Sequence, residues 1–156
     1  MSTRKPSNRF WNRIANFYAR QPIADPASYK RKLEITARFL RPDVRLLEFG
    51  CGTGGTALHH AAYVKEIHAI DFASRMIEIA KQNQQAAGVA NVSFMVGDLH
   101  DFAPGQMRYD GVLAMSLLHL VGDRDAALAR VRDQLHPGGL FVSSTKCIGD
   151  DGRLSG

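Results

Sequence analysis

Apolar positions along the chain fall into two regimes. Up to residue 40 they recur at helical spacing: Trp11, Ile14 and Tyr18 share one face, and Tyr29, Leu33, Ala37 and Leu40 share another. The stretch RQPIADP interrupts this pattern, and Asp25 before Pro26 predicts an N-cap with proline in the first turn. After a turn at Pro42 and Asp43, short apolar runs alternate with helical patterns. Strands are predicted over 44–49, 66–70, 92–96, 109–115 and 140–145. A helix over 56–63 turns Leu58, Ala61 and Ala62 inward. Ser74 caps a second, which carries Met76, Ile77 and Ala80 and stops at Gly88. Asp123 or Asp125 starts a third, with Leu128, Val131 and Leu135 on one face, and HPGG ends it.

Strands separated by helices require crossover connections. The expected fold is therefore α/β, a doubly wound and mostly parallel sheet covered on both faces. The division predicted is an N-terminal helical lid segment at 1–41, an α/β core at 42–148 and a flexible polar tail at 149–156. On such sheets ligands bind outside the carboxyl ends of the strands, where the strand order reverses.

Composition narrows the classes. The 156 residues suffice for one domain, and 45 % apolar with 22 % charged residues is an ordinary globular profile. No apolar run approaches the roughly 18 residues of a membrane span, and no apolar stretch follows the basic N-terminus as in a signal peptide. No membrane partner is expected, and the cytoplasm is the expected location. Cys51 and Cys147 are too few for a disulfide framework and have no metal-site spacing. His59 and His60 diverge as helix neighbours, so no metal site is predicted. The net charge of +5 comes from scattered lysines and arginines, which reads as a solvated surface rather than a nucleic-acid footprint.

Chemistry concentrates at the strand ends. The first strand runs into Glu48, Phe49 and GCGTGG. Four glycines at a strand-to-helix turn point to a ligand that approaches the backbone closely, with helix amides directed at it. Gly50, Gly52 and Gly55 satisfy G-x-G-x-x-G, the dinucleotide pattern; Gly50, Gly52 and Gly54 equally satisfy G-x-G-x-G. Asp71 ends the second strand, where a carboxylate can accept from two ribose hydroxyls. Asp98, in GDLHDF after the third strand, can accept from the exocyclic amine of adenine.

The segments LLEFGCGTGG, AIDFASRMIEIA, VGDLHDF, YDGVLAMSLLHL and LHPGGLF, in that order and spacing, resemble the class I S-adenosylmethionine-dependent methyltransferases. The resemblance runs from about Tyr29 to Thr145. It implies a Rossmann-like methyltransferase fold, S-adenosylmethionine as cofactor with S-adenosylhomocysteine as product, and a small-molecule methyl acceptor. By matched position it assigns Gly50, Cys51, Gly52 and Gly54 to the methionine portion of the cofactor, with Glu48 near its amino-acid end. It assigns Asp71 to the ribose, Phe72 to the adenine face, and Asp98 with the Leu99 amide to the adenine edge. Backbone at Met115 and Ser116 completes the pocket. Methyl transfer from a sulfonium needs alignment rather than covalent help, so no catalytic residue is named. His119 could serve as a base, but the leucines around it favour a structural role. Trp11, Phe17 and Tyr18 are candidate walls of the lid.

Two other readings fit parts of the sequence. A nicotinamide oxidoreductase would use the same loop, Asp71 and Asp98, but none of Tyr18, Tyr29, Tyr63 and Tyr109 has lysine four residues on, and no second domain is present to hold a substrate. A non-catalytic cofactor-binding domain is the other. The resemblance also implies a further helix and two strands after the fifth strand, whereas about eleven residues follow Thr145. The chain is therefore expected to lack the last C-terminal strands. An uncharged, proline-free edge at 140–145 would favour a homodimer through the fifth strand.

Overall fold

The computed structural model describes residues 7–103, 105–145, 147–148 and 154–155. Helices α1 (Asn8–Arg20) and α2 (Pro26–Ala37) precede β1 (Arg45–Phe49), α3 (Gly55–His60), β2 (Glu66–Asp71), α4 (Ser74–Ala87), β3 (Val92–Val96), β4 (Tyr109–Met115), α5 (Arg124–Gln134) and β5 (Leu135–Ser144). The five strands form one sheet in the order β3-β2-β1-β4-β5, and every pairing is parallel. A separate antiparallel pair joins Cys147–Ile148 to Leu154–Ser155. The flexible-tail prediction otherwise falls outside the described residues. No described helix is long and apolar enough to cross a membrane.

Burial on both faces explains why the strands read as apolar runs rather than alternating ones. Leu46 and Leu47 are adjacent in β1 yet join different clusters. Leu46, Ile67 and Phe94 pack with Ala57 of α3 and with Ile77 and Ala80 of α4. Leu47, Phe49 and Val112 pack on the other face with Ala127 and Val131 of α5. The chain winds β1, β2, β3 outward, then crosses back to place β4 on the far side of β1. The reversal leaves its crevice at the carboxyl ends of β1 and β4.

Several local expectations need correction. Asp25 and Asp123 do cap α2 and α5, accepting from the Ser28 and Ala126 N–H. Ser74 caps nothing: the cap position of α4 is Ala73. The buried face of α5 is Ala127, Val131 and Gln134, leaving Leu128 41 % exposed. α3 ends at His60 in a 3-10 turn, so Ala62 faces solvent and His60 inward, at the Leu33 carbonyl. HPGG does not separate α5 from the last strand. Leu135 already pairs with Tyr109, and the register resumes at Gly111 with Leu140, so the four residues loop out of β5. Pro137 cannot continue a helix and disfavours the helical region for His136. At Gly139 a Cβ would sit 2.9 Å from the His136 carbonyl oxygen.

Gly54 shows how tightly the loop after β1 is packed. Its φ is +84°, and a Cβ there would lie 2.6 Å from Phe94 Cζ and 3.1 Å from Ala80 Cβ. Gly88, the C-cap of α4 at φ +65°, has open space instead. Left-handed strain of about 1–2 kcal/mol applies to both, and overpacking adds about 1–3 kcal/mol at Gly54 alone. Urea denaturation should therefore rank Gly54→Ala well below Gly88→Ala in stability. Equal losses would mean that Phe94 yields freely.

Candidate functional site

The loop between β1 and α3 has positive φ at Gly50, Gly52 and Gly54, while Gly55 already belongs to the helix. The backbone thus needs glycine at the G-x-G-x-G positions and not at the third position of the dinucleotide pattern. Cys51 N–H donates to the Ile70 carbonyl, and Gly52 N–H donates to Asp71 Oδ2 at 2.9 Å. Asp71 Oδ1 accepts from the Ala73 N–H, also at 2.9 Å. One carboxylate at the end of β2 therefore ties the glycine loop to the start of α4. At Gly52 a Cβ would meet nothing within 4 Å, so the backbone there borders open space.

Glu48 is 2 % exposed, and its Oε2 has no hydrogen-bond partner among the described residues. Burial, reinforced by the Asp71 charge, pushes its carboxyl up to about 8. Asp71 is also raised by burial, with the Ala73 and Gly52 amides acting against that shift. Burial likewise raises the Cys51 thiol, which stays protonated.

A cleft opens beside the loop. Gly50, Phe72, Asp98 and Leu99, four of the residues that the resemblance assigns to the cofactor, line it. Trp11, Phe49, Ile70, Gly97, His100, Leu117, Leu120 and Val121 also line it. Glu48, Cys51, Gly52, Gly54, Asp71, Met115 and Ser116 are not lining residues. Asp98 Oδ1 accepts from the His100 N–H at 2.8 Å, so it also shapes its own turn. Ser116 has φ +53° at the end of β4, and its N–H donates to Ser144. His119 lies on the 3-10 turn Leu118–Leu120 and is not a lining residue. Of the three aromatic residues expected to wall the lid, only Trp11 reaches the cleft. Phe17 and Tyr18 are 67 % and 51 % exposed, because Ala15 is the α1 residue buried against α4. Among the described residues no group of three or more His, Cys, Asp or Glu is placed to hold a metal ion.

A family model described as Methyltransferase domain matches residues 46–139. The ubiquinone biosynthesis O-methyltransferase of Cereibacter sphaeroides is 34 % identical over 128 residues, covering 82 % of this chain and 50 % of that protein. The protein-L-isoaspartate O-methyltransferase of Pyrococcus horikoshii is 32 % identical over 125 residues, covering 80 % and 53 %. The solved DhpI–SAH complex superposes with a TM-score of 0.72 at 26 % identity, over 94 % of this chain and 74 % of that one. The chain spans about half the length of the curated methyltransferases it matches.

Glu48 makes a pH prediction. Its folded-state proton affinity lies above the unfolded value, so the folded protein holds a proton that the unfolded chain releases between pH ~4.5 and ~8. Stability should fall with rising pH across that window, by up to about 1.4 kcal/mol per pH unit for one proton. Glu48→Gln should flatten the fall in urea melts collected from pH 5 to 8. An unchanged pH profile in this variant would show that Glu48 is ionised in the free protein.

Proposed function

The chain belongs to the class I S-adenosylmethionine-dependent methyltransferase family, and on that premise we propose that it moves a methyl group from S-adenosylmethionine to a small-molecule acceptor by in-line displacement. The observation carrying this is the glycine cradle: three left-handed glycines, open space at Gly52, and Asp71 bonded to the Gly52 amide beside a cleft that Phe72, Asp98 and Leu99 line. The unpartnered Glu48 Oε2 supports it, since a ligand's ammonium group would satisfy that atom.

S-adenosylmethionine, when bound, supplies a methyl group already activated by its sulfonium. The chain's own residues then bind, orient and exclude water. Gly50, Cys51, Gly52 and Gly54 let the backbone approach the methionine portion, and Glu48 meets the amino-acid end. Asp71 accepts from the ribose hydroxyls. Phe72 lies against adenine, Asp98 and the Leu99 amide read its edge, and backbone at Met115 and Ser116 closes the pocket. The ubiquinone biosynthesis relative is an O-methyltransferase by name, so small hydroxyl compounds are the first acceptors to test. Self-association through β5 belongs to the same proposal. Among the described residues that strand pairs only with β4, and 140–145 carries no charge or proline.

Calorimetry should show binding of S-adenosylmethionine or S-adenosylhomocysteine, with NAD and NADP silent. Tight NADH binding without S-adenosylhomocysteine binding overturns the proposal. Asp71→Ala removes a charged acceptor worth about 1.5–3 kcal/mol, so affinity should drop roughly tenfold to a hundredfold. Gly52→Val should abolish binding, because its side chain would enter the cradle. For the β5 edge, light scattering should show mass rising with protein concentration; a monomer throughout the range rejects the dimer.

A further inference from the structure

Trp11 is the one tryptophan of the chain. It lies outside residues 46–139, the span of the family match, yet it lines the same cleft as Phe72, Asp98 and Leu99. Its placement is fixed by α4. Trp11 packs against the cluster that Ala15 forms with Ala73, Met76 and Ile79. The next residue, Asn12, accepts from the Arg75 backbone N–H through Oδ1 at 3.0 Å. One turn on, Asn16 Oδ1 accepts from Arg75 Nε at 3.2 Å and from Nη2 at 3.0 Å. Ala73 offers no side-chain cap, so Asn12 serves one of the free amides that begin α4. That helix starts just after Asp71 and Phe72. The segment carrying the proposed ribose and adenine contacts is thus the segment to which α1 is clamped.

The chemistry of the cleft selects a flat, mostly apolar ligand end. Phe49, Ile70, Phe72, Leu117 and Val121 supply apolar surface, and among the described residues Asp98 is the one carboxylate lining it. A purine matches this: an aromatic face for the apolar walls, and an exocyclic amine for Asp98. A second aromatic wall that touches every purine without reading its edge would raise affinity through stacking.

We propose that Trp11 is an affinity-determining aromatic wall of the purine subsite, held there by the Asn12–Arg75–Asn16 clamp. This rests on the S-adenosylmethionine reading given above. The test uses the full chain, with S-adenosylhomocysteine and adenosine as probes. Both should change Trp11 emission saturably, with midpoints that match those from calorimetry. Trp11→Ala should weaken S-adenosylhomocysteine binding between about fivefold and a hundredfold, the range for aromatic–base stacking, and Trp11→Phe should recover most of the loss. Asn12→Ala with Asn16→Ala should shift Trp11 emission to the red and weaken binding while the core stays folded by circular dichroism. Emission unchanged at calorimetric saturation overturns the inference, as does full affinity in Trp11→Ala. The emission arm decides even if Trp11→Ala fails to fold. A wild-type protein that gives no heat with S-adenosylhomocysteine overturns the parent reading and this inference together, a result distinct from the other two.

Discussion

Asp71 is the group on which the strand ends depend. The alternating left-handed glycines at 50, 52 and 54 leave the Gly52 amide a side-chain acceptor in place of a helix or strand carbonyl, while the Cys51 amide reaches the Ile70 carbonyl of β2. A buried amide without an acceptor costs about 1–3 kcal/mol. Asp71 Oδ2 takes the Gly52 amide and Oδ1 takes the Ala73 amide, so the loop after β1 and the start of α4 share one anchor. Each carboxylate oxygen has more than one acceptor site. The two backbone bonds therefore leave capacity for ligand hydroxyls, and the same carboxylate can hold the frame and bind. Its burial raises its proton affinity, and the two amides work against that. Electrostatics and geometry are coupled at this residue.

Much of this was legible because the sequence states it locally. Strand–helix alternation follows from apolar runs such as LLEF and YDGVLAM, and it fixed the sheet class. Asp25-Pro26 and Asp123 announced their helices through cap chemistry that acts over three residues. The glycine loop was legible as a close-approach site but ambiguous in register, since 50-52-54 and 50-52-55 fit equally well on paper. Only the backbone angles separate them: Gly55 has joined α3, and Gly54 has not.

What the sequence hid was set by contacts between distant residues. Helical periodicity put Leu128 inward, but the docking of α5 on β4 and β5 selected Ala127, Val131 and Gln134. HPGG reads as a helix stop, but α5 already ends at Gln134; nothing in it reveals that Leu135 pairs with Tyr109 before the loop begins. Ser74 is a good cap by local rules. It does not cap because it is already the first helical residue behind Ala73, and Asn12, 63 positions earlier than Arg75, takes the Arg75 amide from another helix. Trp11 lines the cleft, while Phe17 and Tyr18, two and three residues from the small Ala15 contact, look the same in sequence and stay largely exposed.

The helix at the N-terminus illustrates why local rules fail where function gathers. A serine or aspartate at position 73 would offer α4 a side-chain cap of its own, in competition with the Asn12 bond from α1. Alanine at that position, 0 % exposed, joins the cluster that Trp11 packs against and leaves the Arg75 amide to Asn12. The start of α4 is therefore completed only when α1 is docked, and α1 docks through a side chain that also walls the cleft. The alanine at the head of α4 thus joins two roles of α1, the Asn12 bond to the Arg75 amide and the placement of Trp11 beside the cleft.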